Sequence, residues 1–509
     1  MASEITLPVW AVALLALFAV IALLDRLLIP SVRWALRHRA NRAIDELNTR
    51  LKLHIQPFKL TKRQVLTDRL LYDPDVLAAV EQYAQEAGVP REVAMHKAER
   101  YAREIVPSFS AYAYFKIGAK LARRLSEALY RVRLGYTNDE ALKAVPPDSS
   151  VVFVINHRSN MDYVLVTYVA ASSSALSYAV GEWAQVWGLR GLIRSMGAYF
   201  IRRDSRDALY RKILARYVDM ATKAGVVQAI FPEGGLTRDG SLRPPKYGLL
   251  SYIVSGFDPH GARDVVFIPV GLNYDRVLED RILTAAAGLP AGAPPHFRFG
   301  PSVFGGFLIK NLWLLLRGHW HRYGYACVSF GPPVSLRQHL ANRRVDLRLL
   351  GNGDRQAEIG HLGTTLMDAV GRVVPALPVS LVAAVLLEAG YPLTLFELKG
   401  RVFALIHNLE HAGAYVHIPR HDRDYAIEVG LRMLKLRHLV IETDYSFAPN
   451  PREMALMKYY ANAIAHLPPL RSEMAGPENR GIAQPAESPL AAPASILTSD
   501  PANPATARS

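Results

Sequence analysis

The stretch VVFVINHRSNMDYVLV, residues 151–166, decides how the chain folds. Its first half is apolar and β-branched, the pattern of a strand buried on both faces. The polar run NHRSN then interrupts it, and a second apolar run follows. His157 and Asp162 are five residues apart. On one continuous helix five residues turn the chain by about 500°, so the two side chains would diverge. They meet if His157 stands at the strand's exit and Asp162 lies in the first turn of the next helix. Ser159 or Asn160 is then the residue that caps that helix. Strand exits of open α/β sheets are where such folds place their sites.

Outward from this stretch, strand-like and helix-like segments alternate from about 150 to 335. VVFVIN, ALSYAVG, GAYFIRR, VVQAIFPEG, DVVFIPVGL and YACVSFG read as strands, and ALYRKILARYVDMATKAG as a helix that Gly225 terminates. This alternation predicts an α/β fold with a mixed, largely parallel sheet flanked by helices. Residues 31–145 read as an amphipathic helical region, with KIGAKLARRLSEALYRVRLG helical throughout. Residues 336–467 read as mostly helical, with AYVHIPR as a short strand. The tail from 468 is dominated by Pro, Ala and Ser and is expected to be disordered.

The chain has 509 residues, is 50% hydrophobic and carries a formal charge of +15. It is too apolar for a disordered protein and too polar for a polytopic transporter. The charge favours anionic partners. A single cysteine, Cys327, excludes an intramolecular disulfide and a cysteine-rich zinc site. Leu7–Leu24 is an apolar run near the roughly 20 residues that cross hydrocarbon. Arg26, Arg33, Arg37, Arg39 and Arg42 follow it, so residues 1–30 are expected to form a membrane anchor with the bulk of the chain cytoplasmic. A second apolar stretch, residues 302–322, is interrupted by Lys310 and suits a membrane face or a buried helix.

Four segments join a strand end to polar residues. They are NHRSNMDY; GAYFIRRDS with Arg202 and Arg203; FPEGGLTRDGSLRPPKYG with Glu233, Gly234, Thr237, Arg238 and Lys246; and VFIPVGLNYD around Pro269. A neutral imidazole takes a proton from an alcohol near pH 7, and a carboxylate on its far nitrogen fixes the tautomer. This is the orienting half of a serine-protease triad without the serine, so the nucleophile is a substrate hydroxyl. Arginine forks and a lysine suit phosphate, and glycines let backbone amides approach an anion. Taken singly, each element is commonplace. Their joint occurrence in order, each at a strand exit, carries the signal.

In order and spacing, HRSNMDY, GAYFIRR, FPEGGLTRDGSLRPPKYG and VVFIPVGLNYDRV resemble the four blocks of the glycerolipid acyltransferase superfamily. The closest likeness is to the large membrane glycerol-3-phosphate acyltransferases of bacteria. PVSLVAAVLLEAGYPLTLFELKGRVFALI resembles that subfamily's C-terminal extension. The resemblance implies a catalytic domain over 146–335, with His157 as general base and Asp162 as its orienting partner. Arg203, Arg238 and Lys246 would hold phosphate with Arg202 nearby, Glu233 and Gly234 would shape the acceptor pocket, and Pro269 would line the site. Thr237 stands where serine is frequent, and Ser241 where a basic residue is frequent.

The implied reaction is direct transfer of a fatty acyl group from acyl-CoA or acyl-carrier protein to glycerol 3-phosphate at a bacterial inner membrane. No cofactor or metal is implied. Dihydroxyacetone phosphate and monoacylglycerol 3-phosphate are alternative acceptors. Anionic membrane lipid suits the basic surface, whereas no nucleic-acid motif with interleaved aromatics occurs. HNLEH, residues 407–411, matches the pattern of inverted zinc peptidases, but no motif places a third ligand, and helical packing is the simpler reading.

Overall fold

The computed structural model describes residues 55–170, 175–181, 189–202, 207–287, 323–468 and 470. The expected anchor, the 302–322 stretch, Arg203 and nearly all of the tail lie outside the described residues. Among the described residues no helix is long and apolar enough to cross a membrane.

Eight strands form the main sheet: β1 Arg131–Thr137, β2 Ser150–Ile155, β3 Ser177–Val180, β4 Tyr199–Phe200, β5 Gln228–Ile230, β6 Val265–Tyr274, β7 Tyr325–Phe330 and β8 Val334–Ser335. Their order is β1-β7-β6-β2-β5-β3-β4, with β8 paired to β6. Pairings are parallel except those of β6 with β7 and β8. All six expected strands are present, in the mixed, largely parallel sheet that the alternation predicts.

Two local readings are corrected. The helix expected through residue 135 stops at Leu129, and β1 begins at Arg131. Tyr130, buried with its hydroxyl donating to the Arg276 carbonyl at 2.8 Å, marks the switch. Beyond it Val132, Leu134 and Tyr136 recur at every second residue, the period of a strand, and the segment adds an edge strand alongside β7. The strand expected at 414–420 is reduced to a single bridge between Ala376 and Val416. Pro419 and the positive φ of Arg420 and His421 end any extended run there.

Alternation along the central strands divides the interior into two cores. Val151, Phe153 and Ile155 of β2 join Ile268, Val270 and Leu272 of β6 on one face. There they pack against the C-terminal helices Pro378–Ala389, Leu395–His411, Arg423–Leu436 and Met454–Asn462. Val152, Val154 and Phe267 face the other way, onto the N-terminal helices and the helices Ala208–Lys223, Gly248–Val254 and Asn352–Val373. The helices from 378 onward thus cover one face, while most of the N-terminal helices and the helix Asn352–Val373 cover the other. Each buried Val, Leu, Ile or Phe contributes about 1.5–3 kcal/mol, so both layers belong to the sheet's stability. A small antiparallel sheet, formed by β9 Leu393–Thr394, β10 Val440–Thr443 and β11 Ser446–Pro449, completes the C-terminal layer.

Close approach explains one glycine. A Cβ on Gly271 of β6 would run into the Val373 carbonyl, where the helix Asn352–Val373 ends. Gly271→Ala is expected to cost about 1–3 kcal/mol in urea unfolding. Gly400→Ala, in a helix with nothing near its Cβ, is expected to be stabilising by up to about 1 kcal/mol. Equal effects of the two substitutions would contradict the packing described.

Candidate active site

β2 ends at Ile155, and the next residues turn over the sheet's edge before the helix Met161–Ala170 begins. Ser159 is the helix's cap, its Oγ accepting from the Met161 amide at 3.1 Å. Asp162, in the first turn, folds back over the loop. His157 Nδ1 lies 2.9 Å from its Oδ2. The same oxygen accepts from the amides of Arg158 (2.7 Å) and Ser159 (3.0 Å), while Oδ1 accepts from the Tyr274 hydroxyl at 2.6 Å. His157 and Asp162 are 1% and 0% exposed. Because Nδ1–H faces a carboxylate, the lone pair of the neutral imidazole resides on Nε2. Nε2 is buried and has no hydrogen-bond partner among the described residues. Phe231 and Tyr163 wall the ring, with centroids at 4.4 and 5.4 Å.

The Gly-rich loop after β5 closes onto this pair. Glu233 is buried, its Oε1 accepting from the His157 amide at 2.8 Å and its Oε2 from the Arg243 amide at 3.3 Å. The Thr237 amide donates to the His157 carbonyl at 3.1 Å, so the loop grips both backbone groups of the histidine. The Thr237 hydroxyl donates to Asp239 at 3.0 Å. Gly234 has φ +68°, and a Cβ there would meet the Lys246 stem at 2.6 Å. Lys246, an exposed residue, thus lies with its stem across Gly234. Half-buried Arg238 makes one long contact, 3.3 Å to the Ala286 carbonyl, and half-buried Arg243 one of 3.3 Å to the Leu236 carbonyl.

Burial pushes the Glu233 carboxyl up to about 7, even though the His157 amide, the Arg158 charge and the Arg243 amide favour its ionised form.

The remaining expected site residues are placed differently. Arg202 makes a two-point ion pair with Glu104, at 2.9 and 2.6 Å, and stacks on Tyr101 and Tyr210. It ties the helix Arg91–Ile105 to the end of β4 instead of presenting a free fork to phosphate. Pro269 pairs with Val154 inside β6, about 10 Å down the sheet from the level of His157. It supports the site from below and does not stand at its mouth. Of the would-be metal motif, Glu410 is paired with Arg423 at 2.8 Å.

Three contributors are not legible in the four segments read as motifs. Tyr274 looks like a core aromatic until the β2–β6 register brings it to Asp162. Arg158 is buried and donates to the Ala463 carbonyl at 2.9 Å, a partner 305 residues away. Glu279 accepts from Ser159 and Asn160.

Two family models match the chain, without overlap. The model described as Acyltransferase spans residues 135–273, from within β1 to within β6, and the Glycerol-3-phosphate acyltransferase C-terminal region spans residues 311–475. The chain is therefore similar to acyltransferases over its central sheet and to glycerol-3-phosphate acyltransferases over its C-terminal region. Among curated relatives, the glycerol-3-phosphate acyltransferase of Aeromonas hydrophila is 27% identical over 446 residues, covering 85% of this chain and 53% of the relative. That of Pseudoalteromonas translucida is 26% identical, covering 82% and 51%. That of Xylella fastidiosa is 27% identical, covering 65% and 38%. The chain spans about half the length of the first two relatives and less of the third. A 1-acyl-sn-glycerophosphate acyltransferase from Thermotoga maritima, of known crystal structure, is 16% identical with a TM-score of 0.29, covering 60% of this chain and 96% of that one.

The Glu233 carboxyl sets a pH dependence of stability. Its folded value is raised, so folding takes up a proton between the usual glutamate range and about 7. Its contribution is therefore fully present at acid pH and is lost as pH rises through about 7. Asp275, buried and also pushed up to about 7, has the same sign. Glu233→Gln is expected to flatten, without abolishing, the fall in thermal stability between pH 5 and 8. An unchanged slope would place Glu233 outside that window.

Proposed function

We infer that the chain transfers a fatty acyl group from a coenzyme A or acyl-carrier-protein thioester to the sn-1 hydroxyl of glycerol 3-phosphate, giving lysophosphatidic acid. The observation that carries this is the unpaired, buried Nε2 of His157, oriented by Asp162 and standing beside a loop that supplies Arg238, Arg243 and Lys246. The names of the curated relatives support the same acceptor.

In this reading the acceptor hydroxyl gives its proton to Nε2 as its oxygen attacks the thioester carbonyl. The tetrahedral intermediate collapses with rupture of the C–S bond. The departing thiolate recovers the proton from the imidazolium, so the base ends as it began. Asp162 stabilises the imidazolium without taking its proton, because its carboxylate is already bound by two amides and a tyrosine hydroxyl. The thiolate is a good leaving group, so no acyl-enzyme is needed. Arg238 and Lys246, with Arg243 beside them, provide the cations for the acceptor phosphate. Attachment to the inner membrane, with anionic lipid as its surface, is part of this reading. Its support is the apolar run Leu7–Leu24, the arginines after it and the net charge of +15.

The test is an acceptor panel of glycerol 3-phosphate, dihydroxyacetone phosphate and monoacylglycerol 3-phosphate, each with one long-chain acyl thioester and compared by kcat/KM with the product position determined. The expected order places glycerol 3-phosphate first, with acylation at sn-1. Preference for either other acceptor would overturn the substrate assignment. In the same assay, Arg238→Ala is expected to raise the acceptor KM about tenfold or more while leaving the donor KM near its wild-type value. An unchanged acceptor KM and kcat would place Arg238 outside the phosphate site.

A further inference from the structure

We propose that Glu279 is a positioning residue for the His157–Asp162 pair, and that the C-terminal segment holds it in register through Asp280. The inference rests on the acyl-transfer reading and names what keeps that reaction's base in place. After β6 the chain runs from Asp275 to Asp280 beside the loop 156–160. Glu279 is buried there. Its Oε2 accepts from the Ser159 hydroxyl at 2.8 Å. Its Oε1 accepts from the Asn160 amide at 3.2 Å and from Asn160 Nδ2 at 3.1 Å. One carboxylate therefore takes three donors from two consecutive residues. Such charge-assisted bonds are stronger than neutral ones and hold direction as well as distance.

Those two residues form the arc between histidine and aspartate. Ser159 serves two carboxylates, its amide donating to Asp162 and its hydroxyl to Glu279. If the Glu279 bonds are lost, Ser159 and Asn160 are free to shift, the Ser159 amide leaves Asp162, and the aspartate loses one of the donors that aim it at Nδ1. Glu279 touches neither His157 nor Asp162 by any hydrogen bond among the described residues, so it acts through the loop.

Glu279 is in turn anchored from a distant part of the chain. Its neighbour Asp280 is paired with Arg437 at 2.5 Å and accepts from the Tyr460 hydroxyl. Arg437 donates to that hydroxyl at 2.7 Å, and the Val277 amide does so at 3.2 Å. Arg437 follows the helix Arg423–Leu436, and Tyr460 lies in Met454–Asn462. The same segment reaches the other site loops. The Ala463 carbonyl accepts from Arg158, and Asn462 donates to the Asp239 carbonyl at 2.9 Å. Gly240 abuts the Tyr459 backbone so closely that a Cβ would not fit. One C-terminal segment thus backs the histidine loop, the Gly-rich loop and the Glu279 loop at once.

The experiment compares full-length wild type, Glu279→Ala, Glu279→Gln and Tyr460→Phe by acyl transfer to glycerol 3-phosphate, and follows the His157 Nδ1 proton by NMR of histidine-labelled protein. Glu279→Ala is expected to lower kcat by about 10–100-fold with both KM values within about threefold, as a misplaced base should. Glu279→Gln, which keeps an acceptor for the Asn160 amide, is expected to recover most of the loss, and Tyr460→Phe to show a smaller fall in kcat alone. The His157 proton signal is expected to shift or broaden in Glu279→Ala whether or not the wild type transfers an acyl group. An inactive wild type thus counts against the reaction, and an unmoved signal against the positioning role. A kcat within twofold of wild type, a change confined to KM, or a glutamine variant as impaired as the alanine one would also overturn the proposal. If Glu279→Ala does not fold, Asn160→Ala removes a single side-chain contact of Glu279 and leaves the Ser159 cap in place. The same fall in kcat alone then supports the proposal, and an unchanged kcat overturns it.

Discussion

The Asp162 carboxylate is the constraint on which the rest of the site depends. Burying a charged carboxylate costs several kcal/mol unless donors surround it. Here four groups do so: His157 Nδ1, the Arg158 and Ser159 amides, and the Tyr274 hydroxyl. Each comes with a geometric demand. The two amides require the chain to turn sharply between β2 and the following helix. The tyrosine requires β6 to lie beside β2 in the register that pairs Ile155 with Val270. A slip of one residue would send Tyr274 to the opposite face of the sheet. The register of a fully buried strand pair and the tautomer of the histidine are therefore fixed together.

The surrounding architecture follows from covering that sheet. Its central strands are apolar on both faces, so both need a helical layer. The N-terminal helices supply much of one layer and the C-terminal helices the other. This arrangement gives the C-terminal region access to the back of the site loops, where Arg437, Tyr460 and Ala463 reach Asp280 and Arg158. A segment that reads as an appendage in sequence is part of the packing around the reaction centre.

The strands were legible because their polar exits interrupt apolar runs, and the His157–Asp162 pair because a spacing of five makes sense only across a strand–helix junction. β1 was hidden because the amphipathic pattern before it runs unbroken into RVRLGYT. Arg202 illustrates a different limit. An arginine at a strand exit looks the same whether it meets phosphate or a carboxylate, and its partner Glu104 stands 98 residues earlier. Tyr274 and Glu279 were missed for the same reason, since their roles lie in contacts 112 and about 120 residues apart in sequence that no local pattern encodes. Arg203 and the anchor are outside the described residues and stay as the sequence reads them.

The central claim is that His157 is the base of an acyl transfer to a hydroxyl, and the most direct test is the turnover of His157→Ala with an acyl thioester and glycerol 3-phosphate, in protein verified as folded. The account predicts a fall in kcat of at least about 10²–10⁴-fold, the contribution of a positioned general base. Turnover close to that of the wild type would contradict it.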